Sequence, residues 1–241
     1  MKAYIITMSN SADSLRLAKV CKESILTTNS VLDVQHFEAV QPPELYKHNI
    51  DTFGDFIPWR YPEKDTESHL DFSTGLFLKA YPTTDIKRVI ACSLSHMKLW
   101  KKCVDENETI VVLEHDAFFT RTFNPEDLIG DASWGAIGLN DPRGNTRKGQ
   151  LFHSIASAKE GIQVVPNIDS TEEPPLPMGI AGNSAYIIRP HAARELLKTT
   201  KTLGLWPNDA VMCKQLFPWL RVVYPYYSTT QRNVSSTTQV A

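Results

Sequence analysis

Paired cysteines are missing from this 241-residue chain, whose four, Cys21, Cys92, Cys103 and Cys213, stand singly. Without C-x-x-C spacing there is no zinc-site signature, and the thiols are too sparse for a disulfide scaffold. A reducing, cytoplasmic compartment is the simplest expectation. Long apolar runs are also missing, and the N-terminal Tyr4-Ile5-Ile6 is too short for a signal peptide or a membrane span. A soluble protein without a transmembrane segment is expected. Neither sign of charge dominates: 25 Lys and Arg against 27 Asp and Glu leave a net charge of −2. That excludes the global basic field of non-specific nucleic-acid binders, though not a local patch. No internal repeat occurs, and only residues 170–177, with Glu-Glu-Pro-Pro-Leu-Pro, read as a stiff exposed loop.

What is present is the ordinary material of one large globular domain, 42% hydrophobic and 22% charged. Residues 4–6 form a buried-strand candidate, and Ser9-Asn10-Ser11 a polar turn that caps a helix over 12–26. Residues 34–40 alternate as a second strand and stop at Pro42-Pro43. From 47 to 82 the pattern is aromatic and irregular, little regular structure is expected, and the stretch is a candidate acceptor-side loop. A helix over 85–105, capped by Thr84, places Cys92, His96, Leu99, Trp100 and Cys103 on one buried face. Further strands are expected at 134–139, 183–188 and 221–224, with helices over 190–199 and 208–217. Residues 140–149 form a polar loop with three positive charges, and the Ser- and Thr-rich stretch 228–241 either frays or folds over the site. Strands interleaved with helices indicate an α/β fold with a mixed, mainly parallel sheet.

One stretch carries chemistry. Thr109-Ile-Val-Val-Leu-Glu-His-Asp116 is a short apolar strand that ends in two carboxylates and an imidazole. Ligands of open α/β sheets collect beyond the carboxyl ends of strands, so Glu114, His115 and Asp116 are suited to hold a divalent cation there.

Ala91-Cys92-Ser93-Leu94-Ser95-His96-Met97-Lys98-Leu99-Trp100, followed by Val111-Val112-Leu113-Glu114-His115-Asp116, resembles the paired signature of glycosyltransferase family 25. That signature is approximately C-x-x-S-H-x-x-x-W and then a strand ending in Glu-Asp-Asp. Phe37-Glu38-Ala39, the stretch from Gly182 to Ile188, and Pro207-Asn208-Asp209 resemble three weaker family motifs in the right order. The chain departs from the pattern twice, with His115 at the middle acid and Arg88-Val89 in place of Gly-Glu. The first change leaves His115 either as a nitrogen ligand favouring Mn²⁺ or as a hydrogen-bonded filler; the second puts positive charge where it could meet phosphate.

The resemblance implies a GT-A-like single domain, with residues 1–130 as a nucleotide-sugar half and 131–241 as an acceptor half. It also implies a nucleotide-sugar donor, most simply a UDP-sugar, a Mn²⁺ or Mg²⁺ cofactor, and inversion at the anomeric carbon. Asp116 is then the direct metal ligand, Glu114 a contact to the donor ribose or to a metal-bound water, the two acids keeping a D-x-D-like spacing on one side of an extended segment, and Asp209 the base for the acceptor hydroxyl. Thr7, Arg16, Glu38 and His96 are candidate donor contacts. Arg16 serves equally as a solvated helix face, and His96 as a core histidine that buttresses the site. Arg143, Arg147 and Lys148 are candidate grips for donor or acceptor phosphate, and Trp206 either stacks on a sugar or packs in the core. The acceptor divides between a bacterial surface oligosaccharide and a hydroxymethylated pyrimidine of phage DNA, with Lys98, Lys101 and Lys102 as a basic strip for the latter. A sugar-nucleotide-binding module without turnover is the reading from a different class, should His115 prevent metal binding. A metal-dependent phosphoesterase is remote, since the additional His and Asp clusters of two-metal sites are missing.

Overall fold

The computed structural model describes residues 1–64, 67–83, 85–143, 148–168 and 173–231. The chain opens on β1 (Lys2–Thr7), buried from its second residue onward. Ser11 caps α1 (Ala12–Thr27), its hydroxyl accepting from Ser14 N at 3.2 Å and satisfying an amide that the helix start leaves unpaired. β2 (Asp33–Glu38) returns parallel to β1, completing the expected βαβ unit.

Residues 47–82 are more regular than expected. A 3-10 turn at Pro42–Glu44 leads into α2 (Leu45–Phe53), and a hairpin follows from β3 (Ser68–Asp71) and β4 (Leu76–Lys79). Tertiary contact holds the short helix: Asn49 Nδ2 donates to Ile57 O, and Ile57 N to Asn49 Oδ1, both at 2.8 Å. The hairpin buries only Leu76 and Leu78 of its eight residues. Neither piece has the apolar periodicity by which an element is recognised.

α3 (Ile86–Glu106) is capped by Asp85, whose carboxylate accepts from Lys87 N at 3.0 Å; Thr84 lies outside the described residues. β5 (Ile110–Glu114) stops at Glu114, and a turn at His115 and Asp116 leads into β6 (Ala117–Phe119). Glu114 and Asp116 therefore flank the entry to a turn and do not share one extended segment. α4 (Glu126–Ile129) and β7 (Ala136–Gly138) follow, then α5 (Gly149–Ala156) and β8 (Gly161–Val164), which the sequence reading does not anticipate. The described residues end with β9 (Ala185–Ile188), α6 (Pro190–Leu203), α7 (Asn208–Val211), β10 (Leu220–Tyr224) and β11 (Ser228–Thr230). α7 is one turn, short of the expected 217, because Cys213 bridges to Gly179 and Lys214 N donates to Met178 O at 2.9 Å. β11 pairs with β6, so the described part of the Ser- and Thr-rich stretch is fixed in a ladder.

Among the described residues seven strands form one sheet in the order β2-β1-β5-β9-β7-β10-β8. β2, β1, β5, β7 and β10 share a direction, while β9 and the edge strand β8 oppose it. The sheet is thus mixed and mainly parallel, as expected. Alternate residues of β1 and β5 enter opposite cores. Tyr4, Ile6, Ile110 and Val112 join Met97 and Trp100 of α3 and Leu196 of α6. Ala3, Ile5, Val111 and Leu113 join Ala18, Cys21 and Ile25 of α1. With both faces covered, polar chemistry is confined to the strand ends. Among the described residues no helix is long and apolar enough to cross a membrane.

Candidate active site

Strand register sets the site. Thr7 lies opposite Glu38 and Ile6 opposite Glu114, so β1, β2 and β5 finish together and a cleft of about 1550 Å³ opens beyond them. Its walls include Cys92 and His96 from α3, the Glu114-His115-Asp116 end of β5, and Asp209 of α7. Gln231 clamps the acidic turn, its backbone N donating to Asp116 O at 2.7 Å and its Nε2 to Leu17 O at 3.0 Å.

His96 is fully buried and stacked on Tyr186, with Nδ1 2.9 Å from the Tyr186 hydroxyl, which also accepts from Trp100 Nε1 at 2.8 Å. His96 Nε2 stands 3.3 Å from Glu114 Oε1, within ion-pair reach but without the alignment of a hydrogen bond. Burial by itself would raise the Glu114 pKa, yet the contact with His96 and the nearby His115 hold it below the ordinary carboxylate range. Asp116 behaves oppositely: burial and then repulsion from Glu114 push it up to about 7. Two carboxylates that repel one another do not both ionise freely unless a cation offsets their charge. Burial, and more weakly Glu114, also raise Asp209, while the neighbouring Tyr81 hydroxyl opposes the shift.

The cleft holds a concentration of unsatisfied polar atoms. Gln41 Nε2, His96 Nε2, Asp116 Oδ1, Asn183 Oδ1 and Ser184 Oγ are all buried without hydrogen-bond partners, and all five residues line it. Buried polar groups are normally paired, so such a cluster marks a place built for a polar ligand. The oxygens of Asp116 and Glu114 fit a hard divalent cation such as Mg²⁺ or Mn²⁺. His115 is anchored through one ring nitrogen. Its Nδ1 lies 3.1 Å from the Ser14 hydroxyl, which in turn accepts from Met8 N at 2.9 Å. Burial depresses the His115 pKa and Glu114 opposes this, so the ring is neutral at pH 7 and ties the acidic turn to the start of α1.

The structure thus brings together Glu114, His115, Asp116, Asp209, His96 and Arg143 around one cleft. Other candidates lie elsewhere. The Thr7 hydroxyl is buried and engages Ile5 O at 3.1 Å and His36 Nδ1 at 3.3 Å. Glu38 accepts from Ser9 N and Oγ, closing the β1–α1 turn. Arg16 is exposed and pairs with Asp13 at 3.5 Å. Trp206 is fully buried with Tyr61 edge-on at 5.8 Å, so it is core and cannot stack on a sugar here. Arg143, at the cleft, is paired with Asp141, whereas Lys148 Nζ reaches Ile168 O at 3.5 Å and Arg147 lies outside the described residues.

Sequence reasoning offered the aromatic stretch as an acceptor-side loop but did not single out Tyr61 and Tyr81, which stack at 5.8 Å beside Asp209 in the cleft wall. The available signal was the density of aromatics and prolines between 56 and 82. Arg88 does line the cleft, paired with Asp85 at 3.4 Å.

A covered α/β sheet with a polar, acidic cleft at its carboxyl strand ends defines a ligand-handling enzyme fold. The family model for glycosyltransferase family 25 (LPS biosynthesis protein) matches residues 1–132, more than half of the chain. The chain belongs to this family and is a glycosyltransferase, and its mixed sheet agrees with the GT-A-like fold expected. Among solved structures, it is similar to galactosyltransferase LgtC in complex with donor and acceptor sugar analogues, at 10% identity and TM-score 0.46 over 97% of this chain and 87% of that one. It is also similar to mouse xyloside xylosyltransferase 1, at 11% identity and TM-score 0.47 over 92% and 84%. No curated protein sequence matches the chain.

Proposed function

We propose that this glycosyltransferase is cation-dependent and inverting, and that it moves a sugar from a nucleotide sugar, most simply a UDP-sugar, to a hydroxyl of a surface oligosaccharide in a reducing compartment. The observation that carries this reading is Asp116 Oδ1, buried without a hydrogen-bond partner in a cleft where Gln41 Nε2, Asn183 Oδ1 and Ser184 Oγ are buried without one as well. Residues 1–130 form the donor half except for the Tyr61–Tyr81 wall, which with Asp209 belongs to the acceptor side.

Asp116 and Glu114 would hold Mn²⁺ or Mg²⁺, which neutralises charge developing on a leaving diphosphate. His115, neutral and hydrogen-bonded to Ser14, fixes the turn that carries Asp116. Gln41, Asn183 and Ser184 offer the unpaired polar atoms that orient the sugar and nucleotide. Asp209 accepts the proton of the attacking hydroxyl, and burial, by raising its pKa, makes it the stronger base.

A glycan acceptor agrees with the family's description as an LPS biosynthesis protein. The lysines that would form a DNA-facing strip are engaged locally: Lys101 pairs with Asp105, Lys102 with Glu106, and Lys98 Nζ contacts His48 Nδ1 at 3.1 Å. The test is incubation with nucleotide sugars, Mn²⁺ and either lipooligosaccharide or hydroxymethylcytosine DNA, read by mass spectrometry. A hexose or pentose added to the glycan is the expected result. Transfer to DNA alone would overturn the acceptor, and a protein that binds donor without cleaving it would be a binding module.

A further inference from the structure

α3 places Cys92 and His96 one turn apart on the same face, and β5 delivers Glu114 against them. Cys92 Sγ, a His96 ring nitrogen and a Glu114 carboxylate oxygen all lie within 4.8 Å of one another, the one such trio found among the described residues. The His96 ring is held on its Nδ1 side by Tyr186, while Nε2 is buried without a hydrogen-bond partner and aimed at Glu114. A ring fixed through one nitrogen, with the other left for a ligand, is how metal-binding histidines are oriented.

We propose that Cys92, His96 and Glu114 form a site for a thiophilic divalent cation, Zn²⁺, which shares Glu114 with the all-oxygen site at Asp116. Thiolate, imidazole and carboxylate together make a zinc donor set, whereas Mg²⁺ and Mn²⁺ prefer oxygen. A tetrahedral ion with bonds of about 2.0–2.2 Å sets its nitrogen and oxygen ligands about 3.4 Å apart. His96 Nε2 and Glu114 Oε1 already stand 3.3 Å apart. A sulfur ligand at about 2.3 Å sits about 3.6 Å from either partner. The thiol must move inward to close the trio, in which no pair exceeds 4.8 Å. On binding, the zinc–sulfur bond forms as the thiol proton leaves to solvent, with no change of oxidation state. Three protein ligands leave a fourth position open to the cleft. Burial first, and then the charges of Glu114, Asp209 and Asp116, hold the Cys92 thiol protonated until a cation offsets them.

Zinc there withdraws Glu114 from the donor, so it inhibits transfer. That consequence rests on the glycosyltransferase reading; the site itself does not. The test adds Co²⁺, as a spectroscopic stand-in, to the full chain without any nucleotide sugar. A thiolate-to-cobalt charge-transfer band that equimolar Zn²⁺ abolishes is expected, and Cys92→Ser should remove the band and weaken zinc binding by more than about tenfold in calorimetry. No band, or unchanged zinc affinity in Cys92→Ser, overturns the site. If that variant does not fold, alkylation of Cys92 in the unaltered chain decides: protection by Zn²⁺ supports the site, and equal labelling overturns it. Zinc binding without inhibition of a working transferase overturns the consequence, whereas zinc binding by a chain that cleaves no donor overturns the functional reading and leaves the site standing.

Discussion

Asp116 sits where burial and a second carboxylate both disfavour its charge. Its pKa is pushed from 3.8 to about 7, so between those values the unfolded chain gives up a proton that the folded chain keeps. Stability from this group is therefore greatest at low pH and falls as pH rises through that window. Glu114, held low by His96 and His115, contributes in the opposite sense, stabilising above its unfolded value of 4.5 and losing that contribution as pH falls. Thermal melts of cation-free protein at about pH 5 and about pH 8 should show Asp116→Asn melting higher than the parent at the upper pH, because the buried charge is gone. An equal or lower melting temperature there would contradict the assignment. Mn²⁺ should raise the melting temperature of the parent and leave Asp116→Asn unmoved. Asp209→Asn should lower kcat by about 10²–10⁴ while leaving the donor KM nearly unchanged, since a base acts after the donor is bound. A rise in KM with kcat preserved would assign Asp209 to binding.

The elements that carry these residues depend on close contacts. A Cβ on Gly179 would stand 2.7 Å from Asp209 O and 2.8 Å from Met212 O, both backbone atoms that cannot swing aside. Gly179→Ala should cost about 1–3 kcal/mol in denaturant unfolding and reduce kcat by displacing α7. Tyr186→Phe keeps the ring but leaves Trp100 Nε1 and His96 Nδ1 unpaired, at a cost of about 1–3 kcal/mol. An unfolding midpoint equal to the parent's would show that these buried groups find other partners. β1, α1, β2, α3 and β5 were legible because apolar period, caps and breakers agree in each. α2 and the β3–β4 hairpin were not, because an Asn49 clamp and two buried leucines stand in for periodicity. α7 looked long because an N-terminal acid after proline starts a helix; its end is set by a bridge from Gly179, more than thirty residues earlier in the chain.

Across the whole molecule, the sheet order brings the two halves of the sequence to one cleft, with β9 paired directly to β5. The acidic end of β5 could be read from a buried strand that stops in charge. What surrounds it could not: the His115–Ser14 contact, the Tyr61–Tyr81 wall and the Gln231 clamp join residues distant in sequence. Nor does residue type reveal that Trp206 is core and Arg16 is turned to solvent. The central claim is that Asp116 and Glu114 make this cleft a cation-dependent nucleotide-sugar site. Release of UDP from a panel of UDP-sugars, measured with Mn²⁺, with a chelator, and in Asp116→Asn, tests it most directly. The account predicts release that the chelator stops and that the substitution lowers by about 10²–10³. Release from no UDP-sugar, or the same rate in Asp116→Asn, would contradict it.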